Sequence, residues 1–182
     1  MKRLIGIHGD GIYKAHTPCY ETWRNMLARC YDESIQKKKP NYIGCTVTES
    51  WHNYQNFAKW YYDNYIETYS LDKDILIKGN KIYSPETCCF VPNDINIVLT
   101  LSTASRGEYP VGIYRRGNSF RSKISIEGKQ ISIGTYKTIA LAFEAYKIEK
   151  EKYIKQLANK YKDTITENCY KALMNWVIEI TD

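Results

Sequence analysis

The chain has 182 residues, of which 43% are hydrophobic and 25% charged, and its formal net charge is +6 at pH 7. That is enough apolar material for one large core or two small ones, which excludes a disordered or collagen-like chain. No apolar run approaches the roughly 18 residues of a membrane span, and the opening Met1-Lys-Arg-Leu-Ile-Gly-Ile is too short, and too polar after Ile7, for a signal peptide.

A cytoplasmic location is therefore the expectation, and the six cysteines, Cys19, Cys30, Cys45, Cys88, Cys89 and Cys169, are expected to be reduced. None forms a Cys-x-x-Cys pair, so a zinc finger is disfavoured. A site drawing on Cys30, Cys45 and Cys88 with a histidine is the alternative to buried free thiols, which are the preferred reading.

Thr17-Pro18 reads as a helix N-cap followed by proline at the first helical position. Tyr20, Trp23, Met26, Leu27 and Cys30 then recur at helical spacing. The Lys37-Lys38-Lys39-Pro40 run reads as a solvated loop. A second helix is expected from about Ser50, with Trp51, Tyr54, Phe57, Ala58 and Tyr61 on one face. Both aromatic stripes are core rather than base-stacking surfaces on this pattern. Ile66 to Leu76 reads as extended, Gly79-Asn80 as a turn, Glu86 to Val91 as a short strand, and Pro92-Asn93 as the start of a helix that includes Asn96. Thr100 to Glu108 is a linker of small residues.

Three short runs follow, broken by the hairpin signals Gly117-Asn118 and Glu127-Gly128. Apolar residues alternate in them with Tyr114, Arg116, Arg121, Lys123, Ser125, Gln130 and Ser132. One sheet face can pack on the amphipathic helix that comes next, while the other stays basic and polar. A ribbon of that kind fits the major groove of double-stranded DNA. From Arg106 to Lys162 there are 13 Lys and Arg against 5 Asp and Glu, a net of +8, so the rest of the chain nets −2. Charge gathered into one module is what an electrostatic footprint on phosphate requires. Ile165, Cys169, Leu173, Trp176 and Ile180 mark a terminal packing helix.

The module resembles the plant APETALA/ERF-type DNA-binding domain, which also occurs in phage and bacterial nucleases. The resemblance is carried by Gly112-Ile113-Tyr114-Arg115-Arg116, by Ile133-Gly134-Thr135-Tyr136, and by Ala142-Phe143-Glu144-Ala145-Tyr146 in the helix. It implies DNA contact through Tyr114, Arg116, Lys123, Ser125, Gln130 and Ser132. The family's sheet tryptophans are absent and several of its arginines are replaced, which leaves a particular sequence preference unsupported.

Residues 16–99 resemble the phage HNH homing endonucleases. This rests on Leu71-Asp72-Lys73-Asp74, on Tyr83-Ser84-Pro85-Glu86-Thr87-Cys88, on Asn96, and on the helical lead-in from Tyr20 to Cys30 and from Trp51 to Phe57. The resemblance implies a ββα-metal core that hydrolyses a phosphodiester with one divalent cation, magnesium-like, held by Asp72 and Asn96. Lys73 stands where that family's general-base histidine stands, and Thr87 where its orienting asparagine stands. A lysine there cannot take a proton from water at neutral pH unless its pKa falls far. It could contact the scissile phosphate instead, with Asp74, His16 or His52 supplying a base.

The expected fold class is α+β: an HNH-like ββα-metal domain over 1–100, then a three-stranded antiparallel sheet packed on a helix over 106–162, then a packing helix over 163–182. The expected function is a phage-type DNA-binding protein of the HNH endonuclease kind, working in the bacterial host cytoplasm if phage-encoded, with no membrane partner. The alternatives are a non-catalytic DNA-binding regulator on a degenerate nuclease fold, and a protein that turns its basic surface to another macromolecule, including a protein partner. The sequence gives no target site and no oligomeric state.

Overall fold

The computed structural model describes residues 6–100 and 108–182. The chain is mixed α+β, with six α-helices and three small sheets among the described residues. It divides into two compact units, Met1–Val91 and Pro92–Asp182. The division falls earlier than the expected linker, which over 101–107 lies outside the described residues. No helix among the described residues is long and apolar enough to cross a membrane.

The N-terminal unit is built on two aromatic helices. Helix α1 (Pro18–Tyr31) starts where the Thr17 side chain accepts from Tyr20 N at 3.2 Å, with Pro18 in the first turn. It buries Cys19, Trp23, Met26, Leu27 and Cys30 on one face. A short α2 (Glu33–Lys38) follows, capped by Asp32, and takes in Lys37 and Lys38 of the run expected in a loop, with Lys39 as its C-cap. After a 3₁₀ turn over Pro40–Tyr42 and a two-residue strand β1 (Thr46–Val47), α3 (Tyr54–Asn64) buries Tyr54, Phe57, Ala58 and Tyr61. It begins at Tyr54 rather than near Ser50 because Asn53 caps it, its side chain accepting from Gln55 N at 2.9 Å; Trp51 sits in a 3₁₀ turn just before. Trp23 Nε1 donates to the Trp51 carbonyl at 2.7 Å, so the indole satisfies its donor inside the core. Each large side chain removed from water here contributes about 1.5–3 kcal/mol.

Two small sheets complete this unit. Strand β2 (Ser70–Asp72) pairs antiparallel with β4 (Cys89–Val91), in the register Ser70 to Val91 and Asp72 to Cys89. Between them β3 (Ile82–Tyr83) pairs parallel with β1. The extended stretch expected over 66–76 shrinks to three residues, because the chain turns sharply after Asp72. Gly79 takes φ +76°, and Asn80 Nδ2 donates to the carbonyls of Lys73 (2.8 Å) and Ile82 (2.7 Å). One amide thus closes the loop between β2 and β3.

The C-terminal unit opens with α4 (Asn93–Leu99) and continues as β5 (Ile113–Arg116), β6 (Ser119–Ile126) and β7 (Lys129–Tyr136), an antiparallel sheet in that order. The β6–β7 turn places Glu127 and Gly128 at φ +50° and +75°, the two left-handed residues that a tight two-residue hairpin needs. Helix α5 (Ile139–Lys160), capped by Thr138, covers one sheet face with Ala142, Phe143 and Tyr146. Gly112, just before β5, has φ +76°, and a Cβ there would lie 2.3 Å from the Tyr146 ring, so no other residue fits that corner. Helix α4 joins α5 through Asp94, which accepts from Tyr161 Oη at 2.7 Å and pairs with Lys160 at 3.3 Å. Helix α6 (Glu167–Met174) stops before the residues expected to extend it. Trp176 and Ile178 are instead buried in a non-helical tail, where Ile178 N donates to Glu151 Oε1 at 2.9 Å.

Candidate functional site

The strand register decides which side chains share the outer face of the C-terminal sheet. Tyr114 pairs with Arg121, Arg116 with Ser119, Lys123 with Ser132, and Ser125 with Gln130. Successive residues of a strand point to opposite faces. Tyr114, Arg116, Arg121, Lys123, Ser125, Gln130 and Ser132 therefore all lie on one face. Ile113, Ser122 and Ile124 lie on the other, buried on the α5 side. The outer face holds three cations, several neutral hydrogen-bonding groups and no carboxylate.

Details of the face bear on what it can touch. Tyr114 is 49% exposed, and the Lys123 ammonium sits 5.3 Å from its ring centroid, a cation–π contact that holds both outward. Arg121 Nε is screened from water without a hydrogen-bond partner in the protein. A donor in that condition costs free energy until an acceptor reaches it. Arg115 pairs with Phe120 on the opposite side, and its Nε donates to Gly117 O at 3.3 Å, so it does not belong to the face.

Two further residues share the face: Ser119, which simple alternation with Arg121 gives, and Thr135, which it does not. Ser122 pairs with Gly134 but Lys123 pairs with Ser132, so Ile133 is an extra residue in β7. This bulge reverses the parity and brings Thr135, opposite Arg121, to the outer face. A glycine inside a strand, Gly134, is the signal that marks such an irregularity.

The residues at the nuclease positions are placed differently. Asp72 ends β2, and its Oδ1 accepts from Asp74 N at 2.6 Å and Ile75 N at 2.9 Å, so the carboxylate caps the turn that follows. Burial raises its pKa above the usual carboxylate value, against the pull of those two bonds. Lys73 is buried, and its ammonium donates to Asp74 Oδ1 at 2.5 Å and to the Asn80 carbonyl at 2.9 Å. Two of its three N–H donors are thus committed to the loop. Thr87 Oγ1 donates to Ile82 O at 2.7 Å and accepts from Ser84 N at 3.1 Å, closing the Ser84–Cys88 turn. Asn96 lies in α4, within the C-terminal unit, whereas Asp72 belongs to the N-terminal one.

The other groups considered for chemistry have structural settings as well. His52 Nε2 is hydrogen-bonded to Tyr31 Oη at 3.1 Å, and the His16 ring lies 6.0 Å from that of Tyr20. All six cysteines are buried free thiols. Burial pushes Cys30 and Cys88 up to about 12 and raises Cys45 too, the reverse of what a thiolate ligand or nucleophile needs. Among the described residues no group of three His, Cys, Asp or Glu side chains is arranged to hold a metal. Magnesium, which keeps most of its waters, needs as few as one or two protein carboxylates.

Comparison with family models, with curated proteins and with solved structures returns no match for this chain.

Proposed function

We propose that the chain is a DNA-binding protein that lays the outer face of its β5–β7 sheet on double-stranded DNA. The observation that carries this reading is the register: seven polar and basic residues picked from the sequence fall on one face, opposite the helix and free of carboxylates. The cations meet phosphates, and the amide and hydroxyl groups of Gln130, Ser125 and Ser132 are of the types that hydrogen-bond base edges. Fluorescence anisotropy of the full chain with a labelled duplex tests it. Affinity at low salt that falls steeply as salt rises is expected. No binding at low salt by folded protein rejects the reading.

A second reading, hydrolysis of the bound DNA, is favoured by the order β2, β4, α4, the strand–strand–helix sequence of the ββα-metal nucleases, with Asp72 at the end of the first strand. In this reading one magnesium-like cation, with Asp72 among its ligands, stabilises the leaving oxygen. The burial of Lys73 and its two bonds within the loop weigh toward the non-catalytic alternative, because the family's base position then offers no proton acceptor to water. Incubation with supercoiled plasmid and divalent metals separates the two. Nicking by the wild type that is lost in Asp72→Ala supports hydrolysis, and no nicking under any metal leaves the binding function alone.

A further inference from the structure

The basic sheet does not account for the Lys37-Lys38-Lys39 run, which lies in the N-terminal unit. There Lys38 and Lys39 line a cavity of about 310 Å³ together with Asn25, Arg29 and Ile35. Asn25 and Arg29 are one turn apart on α1, and Ile35 and Lys38 one turn apart on α2, so two helices present their facing sides to the same space. The lining carries three cations, one amide, one aliphatic side chain and no carboxylate.

Little of this charge is neutralised among the described residues, where Lys38 lies near enough to Asp32 to add to its Ser34 hydrogen bonds in holding that carboxyl below its usual pKa. Among the described residues neither Arg29, Lys38 nor Lys39 forms an ion pair. Asp32, the acid between the two helices, directs Oδ1 to Ser34 N (2.8 Å), Ser34 Oγ (2.6 Å) and Ile35 N (3.4 Å). Arg29 is only partly exposed, and its guanidinium lies 5.4 Å from the Tyr42 ring centroid, which steadies it against an aromatic face. A guanidinium does not give up its proton; Arg29 donates to the Tyr83 hydroxyl, which offsets part of the cost of withdrawing the charge from water, and keeps further N–H donors for an anion. Lysines in the last turn of α2 also complement the helix dipole. Arg29 does the same in the last turn of α1; what the dipoles leave unexplained is that both helix ends bring their cations to one cavity.

The dimensions and chemistry select the ligand. The cavity is at the small end of ligand sites, which suits a compact group, and the three cations at its edge suit one that carries negative charge. Arginine presents a planar fork that matches phosphate bidentately, and lysines act beside it as point charges. We propose that this cavity binds a phosphate group, gripped by Arg29 with Lys38 and Lys39 as flanking charges and Asn25 as a neutral donor. That group is carried either by a free polyphosphate or by a nucleic-acid strand. The site is independent of the sheet and stands or falls separately from it.

The test uses the full chain and sodium pyrophosphate as the probe, titrated calorimetrically in chloride buffer at constant ionic strength. Saturable binding at one site is expected. Lys38→Ala/Lys39→Ala, two exposed positions whose change leaves the fold intact, should weaken it at least tenfold, and Arg29→Met should do the same in protein shown to be folded by its circular dichroism. Absence of saturable binding, equal binding by Lys38→Ala/Lys39→Ala, or loss of binding in Arg116→Ala/Lys123→Ala instead would overturn the proposal. A second arm measures duplex DNA affinity of Lys38→Ala/Lys39→Ala. A matching loss, with pyrophosphate competing against DNA, identifies a nucleic-acid phosphate as the natural occupant. Unchanged DNA affinity beside lost pyrophosphate binding identifies a free phosphate compound.

Discussion

Removing Arg116 and Lys123 together should change how DNA binding responds to salt more than it changes anything else. The outer sheet face offers three cations, Arg116, Arg121 and Lys123. Each neutralised phosphate adds about 0.9 to the slope of log affinity against log salt, so three contacts give a slope of about −2.7. Raising salt fourfold should then weaken the wild type about 40-fold. In Arg116→Ala/Lys123→Ala one contact remains, the slope falls to about −0.9, and the same salt step weakens binding only about 3.5-fold. Anisotropy with a labelled duplex at four or five salt concentrations reads both numbers directly. Lys152→Ala is the control, because Lys152 is an exposed residue of α5, the helix that covers the opposite side of the sheet. An unchanged slope in the double variant would refute the assignment of the face. So would an equal drop in Lys152→Ala, which would mean that diffuse net charge rather than this face holds the DNA.

Gly112→Ala should destabilise the protein by about 2–4 kcal/mol, the sum of a left-handed backbone penalty and a clash with Tyr146, as read from chemical denaturation; a loss under about 0.5 kcal/mol would show that the corner can relax. Burial pushes Lys150 down from 10.5 to about 8, so between those values the unfolded chain holds a proton that the folded chain does not, and this group's contribution to stability rises with pH across that window. Lys150→Met should therefore be more stable than the wild type by on the order of 3 kcal/mol at pH 7, with the advantage fading toward pH 10.5. The raised thiols of Cys30 and Cys88 act with the opposite sign above pH 9 but equally in both proteins, so they cancel in the comparison; an advantage that ignores pH would remove the argument. Lys73→Met should cost about 1–3 kcal/mol by leaving the Asn80 carbonyl and Asp74 without their donor, and should leave DNA affinity unchanged. A stable Lys73→Met protein with altered DNA binding would show that Lys73 faces the ligand.

Patterns with a short period were the legible ones. Thr17-Pro18, the apolar spacing of α1 and α3, and the two hairpin signals each rest on local physics, and each marks its element in the fold. The outer face of the sheet was legible for the same reason, since alternation is local, and it failed only past Ile133, where a bulge shifts the parity. The parallel pairing of Thr46–Val47 with Ile82–Tyr83 was invisible, because two-residue strands have no periodicity and their partner lies far along the chain. The terminal helix was read too long because Trp176 and Ile180 keep roughly helical spacing, whereas both lie in an irregular tail in which Trp176 is buried and Ile180 exposed.

The nuclease positions show why a motif and a site are different things. Asp72, Lys73, Thr87 and Asn96 were picked by position and Asp74 as an alternative base; all but Asn96, which lies in α4, have a part in closing a loop. An aspartate that caps the turn after a strand, followed by a lysine folded back onto the next acidic residue, is a self-contained device for reversing the chain between β2 and β3. It works whether or not a metal is ever bound, so the run by itself cannot distinguish an enzyme from its inactive relative. The sheet face differs in kind. Apart from the Lys123–Tyr114 contact across β5 and β6, its cations are not what holds the hairpins, which are set by the turn residues and by burial against α5. Among the described residues Arg116, Arg121 and Lys123 form no ion pair, so the proposed DNA contact draws on charges that the fold has not already committed, whereas the proposed hydrolysis draws on side chains that it has.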